Sequence, residues 1–401
     1  MKIGLFTDSD VFAGTERHIL DLAVGLRAES CSVEIVCPGR GILAARAMDV
    51  GIPVFGVEKG RGIDLPAIRR LSRRLRMKEL DLVHAHNGRS ALIATAAAAF
   101  AGHGQTVITE HFLQPARLRR RGLKKWAGSL FHRWITHRAA CIVAISNAVR
   151  DGILARGQTE SRKVRTIYNG IADPAINPLL DKAAVREALG MADRSPLIVT
   201  AVRLDLEKSV DVLIRAMVEV ANAFPKARCI VAGEGCQRVA LERLISGSGL
   251  QNVVKLVGFQ KDVHSIFKAS DVFVLPSPAE PFGLALVEAM ALEIPVIAAR
   301  AGGPAEIVEE GRSGLLVTPS SSGELANTLI TVLSEPHLAR RIAAGGRQRF
   351  AQCFTMQRMA RELSDVYQSL KIPNLVISKM PNTRCGMKYN NGERRRYNRS
   401  K

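Results

Sequence analysis

Short β-branched runs alternate with helix-length stretches through nearly all of this 401-residue chain, and few folds tolerate that rhythm. KIGLFT (2–7), SVEIVCP (32–38), IPVFGV (52–57), LVHAH (82–86), TVITEH (106–111) and CIVAIS (141–146) read as strands. An amphipathic helix over ERHILDLAVGLRA (16–28) follows the first of them. Strands separated by helix-length segments do not close into hairpins. They pair in parallel through crossover helices, which gives an α/β sheet covered on both faces. The rhythm breaks once, at YNGIADPAINP (168–178), whose Pro, Gly, Asn and Asp content is that of an interdomain linker. It restarts with PLIVTAV (196–202), ARCIVAG (227–233), VVKLVG (253–258), VFVLP (272–276) and PVIAA (295–299). The expected architecture is therefore α/β, with two doubly wound sheets facing across a cleft. Ligands in such folds sit at the carboxyl ends of the strands. The expected first domain covers 1–172 and the second 173–355.

A net charge of +20 calls for an anionic partner: nucleotide phosphates, an acidic membrane surface or nucleic acid. Seven scattered cysteines without a C-x-x-C pair suggest neither a zinc site nor a redox motif, and fit a reducing cytoplasm. Met1 leads straight into a strand-like run with no charged leader, so no secretory signal is expected. The longest apolar run, ALIATAAAAFAG (91–102), is too short to span a bilayer and reads as a buried helix. Residues 372–401 form a basic tail expected to be disordered; its last 18 residues hold seven Lys/Arg and one Glu.

The most informative stretch is VFVLPSPAEPFGLALVEAMALEIPVIAA (272–299). A strand enters a Pro-rich turn, then Gly283, then an apolar helix from about Leu284. Free N–H groups at that helix start suit an anion. Glu280 lies in the turn and Glu288 just over one turn into the helix; a carboxylate is suited to paired sugar hydroxyls. Taken alone, such a pair reads first as a charge complementing the helix dipole and a solvated carboxylate. In TAVRLDLEKSVDVLIRA (200–216), Arg203 and Lys208 stand five apart across a strand–helix turn, where both can converge on one anion. His111 ends the strand TVITEH, and His84 and His86 end LVHAH, so all three lie at the cleft or serve as satisfied strand-end side chains. GEG (233–235) and VGF (257–259) also end strands. Ser146 in SNA reads as a helix N-cap and Asn169-Gly170 as a turn.

These segments, in this order, resemble the retaining, nucleotide-sugar-dependent glycosyltransferases of family 4. Those enzymes have the GT-B fold, two Rossmann-like domains facing across a cleft. AEPFGLALVEAMA matches the family's E-x7-E signature, GGPAEIV (302–308) its GGxxEIV, and the resemblance covers roughly 1–370. It implies that Glu280 and His111 hold the transferred sugar and that Glu288 binds the donor ribose. Backbone N–H groups of Phe282, Gly283 and Leu284 would contact sugar or phosphates. Arg203 and Lys208 would stabilise the leaving diphosphate, where negative charge builds in the transition state. Gly233 would let backbone approach the donor, and Phe259 belongs to the segment that packs on the base. His84 and His86 would be acceptor-side or structural. A last helix, 356–371, would cross back to the first domain. The loop TDSDVFAGTERHI (7–19) would form the cleft lip at the donor phosphates through Gly14. Two departures stand out: Ala13 and Val202 occupy positions where the family usually has Gly.

The resemblance implies a retaining hexosyltransferase that takes a UDP- or GDP-sugar as co-substrate, with no other cofactor. The acceptor would be a glycan or a lipid-linked envelope precursor of the lipopolysaccharide or exopolysaccharide type. Rival readings are a phosphorylase or epimerase of the same architecture, and a non-catalytic nucleotide-sugar or nucleic-acid binding protein. No nucleic-acid module is recognised, so nucleic acid is not an expected partner. Asp8-Ser9-Asp10 has the form of the metal-binding D-x-D of the other large glycosyltransferase fold; no metal is assigned to it. RLRRRGLKKWAGSLFHRWITHR (117–138) carries eight Lys/Arg, no acid and both tryptophans, and RRLSRRLRMK (69–78) lies in the same domain. Basic amphipathic helices of this composition bind anionic lipid headgroups, so the expected location is the cytoplasm, peripheral on the inner face of the cell membrane.

Overall fold

The computed structural model describes residues 1–58, 64–113, 123–176, 181–191 and 195–370, with the side chains of 123–128 left out. The expected basic tail, residues 177–180 of the linker and residues 117–122 of the basic stretch lie outside the described residues.

Two parallel sheets are present. The first contains β1 (Lys2–Phe6), β2 (Ser32–Cys37), β3 (Val54–Gly56), β4 (Leu82–Ala85), β5 (Gln105–Glu110), β6 (Cys141–Ala144) and β7 (Val164–Thr166), in the order β3-β2-β1-β4-β5-β6-β7. The second contains β8 (Leu197–Ala201), β9 (Arg228–Ala232), β10 (Val254–Gly258), β11 (Val272–Leu275), β12 (Val296–Ala299) and β13 (Leu315–Val317), in the order β10-β9-β8-β11-β12-β13. Both are doubly wound and Rossmann-like. The winding reverses between β1 and β4 in one sheet and between β8 and β11 in the other. A reversal of this kind opens a crevice at the carboxyl ends of the strands. The edge strands β7 and β13 were not read from the sequence; each has three residues, too few to carry a period, and β3, equally short, was read only as part of the longer run IPVFGV.

Helices cover both faces. The first helix, Gly14–Ala28, buries Ile19, Leu22, Ala23 and Leu26 against β1 and β2. The same cluster contains Met359, Ala360, Leu363, Val366 and Tyr367 of the final helix, Met356–Ser369. The chain therefore leaves the first sheet, builds the second and returns. The outgoing and returning segments run side by side: Ile171 N–H donates to the Phe354 carbonyl (3.0 Å) and Met356 N–H to the Ile171 carbonyl (2.9 Å). Arg347 on the helix Pro336–Cys353 holds Asp173 at 2.6 Å. The returning helix is tied to the first sheet by a buried polar contact, in which the Tyr367 hydroxyl meets His84 Nδ1 at 2.5 Å. His84 Nε2 meets Thr109 Oγ1 at 2.7 Å.

Tyr367→Phe keeps the ring and strips His84 Nδ1 of its partner inside the core. The expected cost is about 1–3 kcal/mol. It is read as a lower urea midpoint for the tertiary signal of the first sheet, with little change in secondary structure before the transition.

Candidate active site

The carboxyl ends of β8 and β11 bring the charged residues of the second domain together. The loop after β8 turns through Arg203 and Asp205 into a short 3-10 turn, Leu206–Lys208. Ser209 then takes a left-handed conformation (φ 48°) and starts the helix Val210–Ala223. That reversal points Lys208 back over the sheet. Its Nζ lies 2.6 Å from Glu280 Oε2, and each side chain is only 13% exposed. Arg203 does not join them. Its guanidinium is 60% exposed and paired with Asp205 and, at 2.9 Å, with Glu207 on its own loop. The expected convergence of Arg203 and Lys208 on one point is thus absent; only Lys208 faces Glu280.

The turn after β11 is held from below. Gly303 N–H donates to the Glu280 carbonyl at 2.9 Å. At Gly302, with φ 57°, a Cβ would lie 2.3 Å from that same carbonyl, so this seat for Glu280 requires glycine. Gly283 caps the helix Leu284–Ala291 without a side-chain bond, leaving the first-turn N–H groups open to a ligand. Phe282 turns the other way, into the core. Glu288 is partly buried, with His264 Nε2 at 3.6 Å. Gly233, at φ 134°, packs so closely under the first loop that a Cβ would meet the Val202 carbonyl at 1.9 Å. The Val202 side chain packs on the cores of the second sheet, which accommodates its departure from glycine. Phe259 follows β10 with its ring largely exposed.

The first domain supplies the opposite wall. Gly14 starts the first helix, and its missing side chain would stand 3.3 Å from Leu284 Cδ1, so the two domains touch there. Ala13 N–H is taken by Glu16 Oε2 at 3.0 Å. Asp8 is bound by Arg89 at 2.9 Å. Burial pushes the Asp21 carboxyl up to about 6, against the pull of Arg17 and reinforced by the charge of Glu288 on the facing domain. His111 and His86 lie just past the ends of β5 and β4, with His86 Nδ1 3.3 Å from His111 Nε2. His18 on the first helix packs its ring against both, at 5.3 and 5.0 Å between centroids. Burial lowers His18 to about 4 and His84 to about 3, and holds His86 and His111 well below the ordinary histidine range. His84 and His86 thus part company: His84 is a structural tie to Tyr367, and His86 faces His111.

A second constellation fastens the cleft at its closed end. Glu306, on the short helix Pro304–Ile307 of the second domain, accepts the N–H groups of Asn147 and Ala148 at 2.7 Å each. These open the helix Asn147–Ala155 of the first domain, so a carboxylate from one domain caps a helix of the other. The Tyr168 hydroxyl donates to Glu306 at 3.0 Å, and Ser146 Oγ donates to the Pro281 carbonyl at 2.7 Å. Ser146 also caps its own helix through Val149 N–H at 3.1 Å. Tyr168, Phe282 and Phe354 stack beside them at 5.9–6.2 Å between centroids. Burial pushes the Glu306 carboxyl up, opposed by the two N–H groups and the Tyr168 hydroxyl. Glu306 reads from GGPAEIV as a helix-starting residue, and it stands in the first turn of Pro304–Ile307; its reach to Asn147 and Ala148 was not expected. Sequence reasoning missed His264 and His18, of which His18 left a signal: it lies at i−4 from Leu22 and i−8 from Leu26, a polar residue on the apolar stripe of its helix.

Residues 12–173 match the family described as Glycosyltransferase Family 4, and residues 181–349 match Glycosyl transferases group 1. Among curated relatives, an uncharacterized glycosyltransferase of Methanocaldococcus jannaschii is 29% identical over 238 residues, 58% of this chain and 61% of that protein. The chain therefore spans about three fifths of that relative's length. The putative glycosyltransferase EpsD of Bacillus subtilis is 27% identical over 318 residues, 76% of this chain and 81% of that one. Among solved structures, Anabaena HepE in complex with UDP-glucose superposes with a TM-score of 0.80 at 25% identity, covering 92% of this chain and 100% of that one.

Glu306→Ala removes the acceptor of two helix-end N–H groups and of the Tyr168 hydroxyl at once. A loss of about 2 kcal/mol is expected, read as a lower thermal midpoint. The radius of gyration from solution scattering should rise as the closed end of the cleft loosens.

Proposed function

The chain belongs to the group 1 glycosyl transferases and carries their GT-B fold, and from that premise we propose a retaining transferase that moves a sugar from a nucleoside-diphosphate donor to an acceptor hydroxyl. The observation that carries the reading is the Lys208–Glu280 pair, set at the winding reversal of the second sheet beside the uncapped helix start at Gly283. A cation, a carboxylate and open N–H groups within one turn of each other are what a sugar diphosphate needs. The donor is UDP- or GDP-linked, and the UDP-glucose complex of HepE favours UDP.

In this reading Lys208 and the N–H groups of Gly283 and Leu284 hold the diphosphate. Arg203 swings from Asp205 and Glu207 to join them. Glu280 accepts the sugar hydroxyls, with the backbone at Phe282 beside it, and Glu288 accepts those of the ribose. Phe259 covers the base, Gly233 lets the chain approach the donor, and Gly14 and His111 close the site from the first domain. The acceptor oxygen bonds to the anomeric carbon as the bond from that carbon to the diphosphate breaks, on the same face of the sugar. The acceptor proton passes to the departing diphosphate. Closure of the domains excludes water, which strengthens each charge interaction and suppresses hydrolysis of the donor.

The acceptor class is a lipid-linked or cell-envelope glycan. On the helix Leu123–Arg138, Leu130, Phe131 and Trp134 are exposed beside Arg133 and Arg138. This is the pattern of a surface that rests on anionic headgroups. No helix among the described residues is long and apolar enough to cross a membrane.

Incubation with UDP- and GDP-sugars and a polyprenyl-linked glycan should give transfer with the anomeric configuration kept, read by proton NMR of the product. Inversion, or nucleotide binding without transfer, would replace this reading. Arg203→Ala and Lys208→Ala should each lower kcat by ~10²-fold; turnover at the native rate in both removes the phosphate assignment. The protein should co-sediment with vesicles containing anionic lipid at low salt and be released at high salt. Phe131→Asp should weaken that binding while leaving turnover on a soluble acceptor intact.

A further inference from the structure

Four histidines crowd the carboxyl ends of β4 and β5, and they divide by how their nitrogens are used. His84 spends both, on Tyr367 and Thr109. His18 spends neither: both of its ring nitrogens are buried without a hydrogen-bond partner, and so is His86 Nε2. A neutral imidazole carries one donor and one lone pair, and leaving either unmet in a core costs free energy. The usual remedy in a protein interior is a bound water, a ligand or a metal ion.

The geometry points to the last. His18, His86 and His111 arrive from three separate elements, all buried, and each offers a ligand nitrogen within 4.8 Å of the other two. An ion held tetrahedrally at about 2.0–2.1 Å from imidazole nitrogens sets those nitrogens roughly 3.3–3.4 Å apart. His86 Nδ1 and His111 Nε2 stand 3.3 Å apart as a hydrogen-bonded pair, so the spacing is in place and binding an ion requires the proton they share to leave. The third nitrogen has only to move inward by a side-chain rotation of His18, which no hydrogen bond restrains.

We infer that His18, His86 and His111 form a binding site for one divalent first-row transition metal ion, with zinc as the reference ion. Three imidazoles select borderline cations such as Zn²⁺, Co²⁺, Ni²⁺ and Cu²⁺ over Mg²⁺ or Ca²⁺, which require oxygen ligands. The nearby carboxylates are otherwise engaged: Asp21 with Arg17 at 3.2 Å, and Glu110 with His132 at 3.3 Å. Three protein ligands leave a fourth position for water or a hydroxyl. The ion would pin the first helix to the ends of β4 and β5. The site shares His111 with the proposed donor pocket, but binding of the ion itself requires neither donor nor acceptor.

The test uses the full chain purified without a histidine tag, stripped with a chelator and titrated with Co²⁺. One equivalent should bind with the visible d–d absorption of a tetrahedral site, and Zn²⁺ should displace it. Zn²⁺ should also raise the thermal midpoint of the wild-type chain. His18→Phe fills the same space without nitrogens and should weaken Co²⁺ binding by about a hundredfold or more; His86→Phe should do the same. His337→Ala, far along the chain and exposed, should bind like wild type. Absence of tetrahedral absorption and of a Zn²⁺-induced thermal shift in the wild-type chain overturns the inference. So does undiminished affinity in a folded His18→Phe or His86→Phe variant.

Discussion

Tyr168, Phe282 and Phe354 come from the outgoing crossover, the Glu280 turn and the returning segment, and they meet in one buried aromatic cluster. One buried apolar cluster runs through residues of both sheets, and these three rings lie within it. Glu306 adds direction to it. A carboxylate bonded to two helix N–H groups and a phenol tolerates little rotation before its bonds break. Phe282 follows Glu280 by two residues, so the turn that presents a carboxylate to the cleft also plugs the joint. Motion about the joint and geometry at the site are thereby coupled through a few bonds of backbone.

The Lys208–Glu280 pair has its own physical logic. Each side chain is the other's counter-ion in a site with little water. Removing one partner would strand the other, which costs more than the pair itself contributes. In the proposed reaction the donor inserts between them: the ammonium gains a diphosphate and the carboxylate gains hydroxyls, so neither charge is left alone at any stage. Arg203 differs because its partners are exposed acids on its own loop. Such pairs are worth little in water and exchange readily.

Much of the architecture was legible because a parallel sheet buries both faces, so its strands stand out as apolar runs. The positions of Glu280, Arg203 and Lys208 beyond strand ends, and of Glu288 on the helix that follows, were readable from the local pattern, and their proposed roles came from the family resemblance. What stayed hidden are contacts between residues far apart in sequence. His84 and Tyr367 are 283 positions apart, and Asn147 and Glu306 are 159. Local pattern carries no trace of either pair. Ser146 reads as a cap, and it is one; its reach into the other domain needed the fold. Spacing places Arg203 and Lys208 within reach of one anion, but it does not show that Arg203 here pairs with Asp205 and Glu207 on its own loop.

The returning helix has a consequence for how the chain is made. Leu22, Leu26 and the face of the first sheet beneath them are sealed by Met359, Leu363 and Tyr367, which the ribosome adds only after the second sheet. One face of the second sheet is covered by residues 198–342 alone, whereas the face of the first sheet under the first helix is completed by the final helix. At typical elongation rates of about 5–20 residues per second, the interval between His84 and Tyr367 is on the order of tens of seconds. Throughout it, an apolar face belonging to the older half of the molecule stands open. The first sheet is synthesised before the second and covered after it, and a variant lacking the helix Met356–Ser369 would leave that face uncovered.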